Sequence, residues 1–245
     1  MATREARCGL TAATRWRSLA RMQKRALADE QGPFEVTVIE PPAPKRQVLF
    51  AVGGGGNPER QHAPLLQALA ARGCAVVAPH FERLTASPSE SELLLRARRL
   101  RLALEVAALD VPVVGIGHSI GAMALLALAG GRAWRSREQP LPIEPEPRLS
   151  RLALLAPAAA YFQAPGALDP LRVPVVVWAG TADHITPLVH AQGLAQAPSV
   201  DLRIVEGAGH FSFLHTPPPG SAEPLADREA FLTQLTAELC TFALA

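Results

Sequence analysis

Short runs of continuous apolar residues recur along this chain, at 48–52, 74–78, 111–116, 152–155 and 173–178, and they constrain its fold more than any other feature. Each is too short for a helix, rich in valine, leucine, isoleucine or alanine, and closed by glycine, proline or a polar turn. A strand that is apolar at nearly every position has no face to give to water, so both of its faces must be covered. Stretches with helical spacing fall between most of these runs: Leu65, Leu66 and Leu69; then Leu93, Ala97, Leu100, Leu104 and Ala107; then the apolar segment 122–128. Strands alternating with helices predict the α/β class, with a mostly parallel central sheet and helices on both faces. Residues 34–39 alternate and add a first strand, and residues 201–205 add a last one. Phe231, Leu235, Leu239 and Phe242 mark a C-terminal amphipathic helix.

The 245 residues have room for one large α/β domain, expected over 33–245 and preceded by a basic extension at 1–32. Residues 1–30 carry seven Lys or Arg against three acids, and arginines interrupt every apolar group that a secretory signal would need. A flexible extension or a surface helix accounts for that stretch. A net charge of +2 argues against nucleic acid as a partner, since phosphate-binding surfaces carry a strong basic excess. No run of 18 apolar residues occurs, so no integral membrane segment is expected. Cys8, Cys74 and Cys240 have neither metal nor disulfide spacing and read as small buried hydrophobes in a reducing, cytoplasmic setting. No motif implies a metal or a cofactor. Arg96, Arg98, Arg99 and Arg101 crowd one helix between 89 and 109 and read as a solvated face. Residues 132–147, polar and proline-rich, read as a loop or a small insertion. Oligomeric state does not follow from any of these features.

In a parallel sheet the chemistry gathers at the carboxyl ends of the strands. Four predicted strands end in unusual turns here: a glycine run at 53–56, His118 with Ser119, Asp183, and His210. Ser119 stands between Gly117 and Gly121, where a strand turns sharply into an apolar helix. Glycine on either side removes Cβ atoms that would otherwise collide across such a turn. A serine hydroxyl is a poor nucleophile at neutral pH and needs a base. Histidine serves, provided an acceptor on its other nitrogen holds the tautomer and stabilises the imidazolium. Ser119, Asp183 and His210, in that chain order, supply the three types. The glycine run lacks the Gly-Lys-Ser/Thr ending of a phosphate loop, so nucleotide binding is not expected.

These motifs give the sequence a resemblance. Gly117-His118-Ser119-Ile120-Gly121 resembles the nucleophile elbow of α/β-hydrolase-fold serine hydrolases. The acid turn Gly180-Thr181-Ala182-Asp183-His184-Ile185-Thr186-Pro187 and the histidine loop Gly207-Ala208-Gly209-His210-Phe211 resemble that family's other two motifs. The likeness covers roughly residues 34–243 and is closest to the compact dienelactone-hydrolase-like and esterase branches, which lack a large cap domain. It implies Ser119 as nucleophile, His210 as base and Asp183 as the acid. It also implies an oxyanion hole made by the N–H of Ile120 and one from the glycine loop, at Gly54 with Gly55 second. Many relatives have His-Gly where this chain has Val52-Gly53. The implied substrate is a small carboxylic ester, lactone or thioester. Tyr161, Phe162 and Phe211 are candidates for its apolar wall, beside a segment too short for a lid. A peptidase of the same fold and a non-catalytic ligand-binding protein of that fold are the alternatives.

Overall fold

The computed structural model describes residues 20–245 apart from 86, 108 and 137. Eight strands form its central sheet: β1 (Arg21–Asp29), β2 (Gly32–Glu40), β3 (Arg46–Ala51), β4 (Cys74–Pro79), β5 (Val113–His118), β8 (Leu149–Leu155), β9 (Val175–Gly180) and β10 (Val200–Val205). Their order is β1-β2-β4-β3-β5-β8-β9-β10. Only β2 runs against the rest, pairing antiparallel with β1 on one side and β4 on the other. All remaining neighbours are parallel. The strands between β4 and β9 are buried at nearly every position, as their unbroken apolar runs require.

The helices are α1 (Pro58–Ala71), α2 (Glu90–Leu104), α3 (Ile120–Leu128), α4 (Leu188–Leu194) and α5 (Arg228–Leu244). α1 packs on α5 and α2 on α3, and these four also lie against β3, β4 or β5, covering the sheet in two layers. Asn57 caps α1 through a bond from the Arg60 N–H, so the helix begins at Pro58. Pro64 sits inside it, and His62 takes a non-helical φ of −135° where proline disrupts the ladder. Ser89 and Glu92 close a reciprocal capping box on α2. Ser119 is the residue from which α3 starts. Cys74 and Cys240 are free and buried, and burial, reinforced by Cys240, pushes the Cys74 thiol up to about 11. Among the described residues no helix is long and apolar enough to cross a membrane.

Three expectations are corrected. First, the basic extension ends earlier than residue 32: Arg21–Asp29 is the edge strand β1, paired with β2 along all nine residues. Both of its faces are largely exposed, so it shows no apolar alternation to betray a strand. Residues 1–19 lie outside the described residues. Second, of the loop and small insertion expected for 132–147 the plain loop gives way, because β6 (Trp134–Ser136) and β7 (Gln139–Pro140) make a small hairpin there. Third, the arginines of α2 are not one solvated face. Arg96 and Arg99 are buried, and Arg99 forks both carboxylate oxygens of Asp29 at 2.8 and 3.1 Å. That pair, with Arg98 on Glu30 at 2.8 Å, ties the end of β1 to the helix.

Candidate active site

β5 carries the chain to Ser119 at the carboxyl edge of the sheet, and α3 takes it away. Ser119 has φ 55° and ψ −124°, a backbone state that costs a non-glycine residue about 1–3 kcal/mol. The surroundings hold it there. Its N–H donates to Leu155 O at 2.9 Å, and its own carbonyl accepts from Met123 N–H and Ala158 N–H, both at 3.1 Å. The flanking glycines are needed, though not against one another. A Cβ on Gly117 would lie 2.8 Å from Leu125 Cδ1 and 3.0 Å from Ala122 N, on the first turns of α3. A Cβ on Gly121 would lie 2.3 Å from Val52 O, inside the backbone where β3 ends.

The turn after β9 and the loop after β10 bring the partners. His210 Nε2 lies 3.0 Å from Ser119 Oγ, and its Nδ1 lies 2.9 Å from Asp183 Oδ2. All three side chains are buried, with Ser119 the most open at 9 %. The two loops can touch because Gly180 has no side chain: a Cβ there would meet Ala208 O at 2.0 Å. Ala182 N–H donates to that same carbonyl at 3.0 Å. The histidine loop is anchored further by Gly209 N–H donating to Ser212 Oγ, whose hydroxyl bonds Glu223. Asp183 Oδ1 accepts from the N–H groups of Ile185 and Thr186, both at 2.8 Å. The Thr186 hydroxyl lies 2.7 Å from Asp183 Oδ2 and 3.1 Å from His210 Nδ1. Burial alone would raise the Asp183 carboxyl. The bond and charge of His210, with the Thr186 contacts, outweigh it and hold the group below the usual carboxylate range.

His118 braces the same edge. Its Nε2–H donates to the His210 carbonyl at 3.0 Å, which fixes the tautomer and ties the histidine loop to the elbow. Burial, aided by neighbouring imidazoles, holds His118 well below 6.5, so it stays neutral. Gly53 fits against its free Nδ1, where an added Cβ would come within 2.7 Å of that atom and 3.3 Å of Ser119 Cβ. Behind it His62 sits between Phe50 and His118, edge-on to Phe50 and tilted to His118, with ring centroids 4.8 and 6.3 Å away.

Ile120 is the first residue of α3, so its N–H has no acceptor within the helix and stands free beside Ser119. The glycine loop leads out of β3 toward the same place. Among the described residues the N–H groups of Gly53, Gly54 and Gly55 meet no acceptor, while Gly56 N–H donates to Phe81 O at 2.7 Å. The aromatic candidates separate. The Phe211 ring stands 5.3 Å from that of His210, edge to face, and is partly exposed. Tyr161 is half-buried against the core. Phe162 is buried, and its ring edge would touch a Cβ on Gly131 at 3.0 Å. It lines a cavity of about 920 Å³, with Gln163, Leu168, Leu171 and Gly193, that does not reach Ser119, Asp183 or His210. Phe162 therefore belongs to the core. Among the described residues no three His, Cys, Asp or Glu side chains converge as metal ligands.

Thr186, Arg96, His62 and Gly180 were not singled out from the sequence as parts of the site. Thr186 and Gly180 lie inside the acid-turn motif, so that signal was present. Arg96 falls three residues after Leu93 and four before Leu100, on the apolar stripe of α2, and its position there was the clue.

No protein-family model matches the sequence, and no curated protein matches it. Solved structures do match the fold. A dienelactone hydrolase-like promiscuous phosphotriesterase from metagenomic libraries superposes with a TM-score of 0.65 at 16 % identity, over 92 % of this chain and 99 % of that one. An esterase from Pyrococcus furiosus gives 0.63 at 14 % identity, over 92 % and 90 %. A carboxylesterase from Lactobacillus plantarum gives 0.59 at 16 %, over 91 % and 97 %. With its sheet order and, among the described residues, a single antiparallel strand in that sheet and no large cap, the chain has the α/β-hydrolase fold. Its structural neighbours are esterases and hydrolases.

Proposed function

We propose that the protein hydrolyses a small carboxylic ester, lactone or thioester through an acyl-enzyme on Ser119. The observation that carries this reading is the unbroken chain from Ser119 Oγ to His210 Nε2 at 3.0 Å and from His210 Nδ1 to Asp183 Oδ2 at 2.9 Å. His210 takes the serine proton as Oγ attacks the carbonyl carbon, and the carbonyl oxygen becomes an oxyanion. Asp183, kept ionised by its hydrogen bonds, faces the imidazolium that forms. The N–H groups of Ile120 and Gly54 hold the oxyanion. His210 returns the proton to the leaving alcohol or thiol, and water repeats the cycle to release the acid. Phe211, beside the base, offers an apolar surface for the acyl or alcohol group.

A fluorophosphonate probe labels the wild-type protein at Ser119 and leaves Ser119→Ala unlabelled. A panel of p-nitrophenyl esters and thioesters shows turnover that Ser119→Ala lowers by about 10⁴-fold or more. Equal labelling of both proteins, or no labelling of the wild type, sinks the reading.

A further inference from the structure

Arg96 stands out on α2. It lies on the apolar stripe, 2 % exposed, and among the described residues no carboxylate forms an ion pair with it. Its guanidinium sits 4.1 Å from the centroid of the Phe81 ring, and its Nε has no partner. Burial lowers it to about 10, so it remains a cation at neutral pH. A buried charge without a counter-ion is destabilising unless several dipoles solvate it. Two do: Nη1 donates to Val52 O at 3.2 Å and to Gly53 O at 3.0 Å. Both carbonyls belong to the chain that leaves β3 for the glycine loop.

Peptide geometry turns that contact into an orientation. In a trans peptide the C=O and the following N–H point in opposite directions, and the described residues contain no cis bond. Holding the Gly53 carbonyl toward Arg96 therefore turns the Gly54 N–H away from it, and holding the Val52 carbonyl does the same for the Gly53 N–H. The rest of the loop follows suit. Gly54 O accepts from Leu84 N–H at 2.6 Å, and Gly55 O accepts from Gln61 Nε2 at 3.3 Å. The acceptors of this loop are thus tied back into the protein, and three successive N–H groups are left without one. Gly53 itself packs against Ser119. Val52 offers no polar side chain to do the anchoring.

We propose that Arg96 is the positioning residue of the oxyanion loop: its guanidinium fixes the Val52 and Gly53 carbonyls so that the Gly54 N–H is aimed at the negative charge forming beside Ser119. Its own buried positive charge favours that oxyanion from behind the loop. The inference rests on the ester-hydrolase reading above. Arg96 touches no substrate and acts only through the loop.

The test compares Arg96→Met, Arg96→Lys and Arg99→Met with the wild type, all confirmed as folded by circular dichroism and thermal melting. Losing an oxyanion donor, or misplacing it by about an ångström, lowers kcat on the order of 100-fold. Arg96→Met should show that loss with KM within about threefold of wild type. Its affinity for an aryl trifluoromethyl ketone, which adds to serine as a hemiketal oxyanion, should fall in proportion. Arg96→Lys, which keeps the charge and one donor, should recover part of both. Arg99→Met should leave kcat unchanged, because Arg99 is also buried but is bonded to Asp29. If Arg96→Met does not fold, Arg96→Lys decides on the same readouts. A folded Arg96 variant with kcat and ketone affinity within about twofold of wild type overturns the proposal, as does a loss confined to KM. A wild type that no fluorophosphonate labels refutes the hydrolase reading and takes this inference with it. A labelled wild type with unaffected Arg96 variants refutes this inference alone.

Discussion

The elbow at Ser119 and the glycine loop at 53–56 pack against each other, and each has backbone N–H groups that meet no acceptor among the described residues, but they are held in different ways. The direction of the Ile120 N–H follows from its place as the first residue of α3. The glycine loop has no helix of its own to set its course. Its carbonyls are held by Arg96 from α2, Gln61 from α1 and Leu84 from the chain after β4. One loop stores strain in a single residue, at φ 55°; the other uses glycine to avoid strain and borrows rigidity from its neighbours. The difference teaches that a donor can be preorganised by its own secondary structure or by anchors distant in sequence. Only the first kind leaves a compact motif.

The sharpest way to break the comparison is at the point where the two loops touch. Gly121→Ala puts a Cβ 2.3 Å from Val52 O, against backbone that cannot swing aside. It should cost about 3 kcal/mol or more of stability. A urea midpoint within error of wild type would show that the contact is softer than it looks. Gly53→Ala should act on chemistry more than on stability, since its Cβ meets His118 Nδ1 at 2.7 Å and crowds Ser119. A fall in kcat of about 10- to 100-fold is expected, measured on the best p-nitrophenyl ester; an unchanged kcat would mean that His118 yields freely.

The imidazoles beneath both loops give the next effect. Burial, with the charge of His215, lowers His62 to about 3, and His118 is held well below 6.5. The unfolded chain binds protons near 6.5 that these folded groups refuse. Stability is therefore full above that pH and declines as pH falls from about 6.5 toward the folded values. At pH 5 His62 by itself should remove roughly 2 kcal/mol, from 1.36 kcal/mol per pH unit over the interval below 6.5. His62→Leu should flatten the decline by that amount in melts run from pH 7.5 to 5; parallel curves for the two proteins would contradict it. The smallest effect belongs to Gly54→Ala. Nothing lies within 4 Å of its Cβ position and its φ is not positive, so stability should stay within about 0.5 kcal/mol of wild type. A larger shift in melting temperature would reveal a contact at this position that the free backbone does not show.

Much of this arrangement was legible in the residues. The sheet announced itself because strands buried on both faces must be apolar throughout, and Val48, Val76, Val114, Leu154 and Val177 are all fully buried. Ser119, Asp183 and His210 could be picked out because each follows such a strand within a short local motif. β1 could not, since an edge strand exposed on both faces carries no apolar period. Phe162 shows a related limit: aromatic character suits a substrate wall and a core equally, and its place in the core cluster comes from tertiary packing.

By itself the sequence determined the class of sheet, the elbow with its flanking glycines, and the chain order of serine, acid and histidine. These depend on local sterics and on the burial of short segments, and both are written in neighbouring residues. Tertiary structure alone decided what holds the glycine loop, because Arg96 lies more than 40 positions from the carbonyls it binds. It also decided that one arginine of α2 binds the carbonyls of the glycine loop while Arg99, three residues on, pins an edge strand. Helix position marks Arg96 as inward-facing, but it names no partner for either guanidinium group. Which carbonyl or carboxylate each one reaches depends on where the rest of the chain has gone.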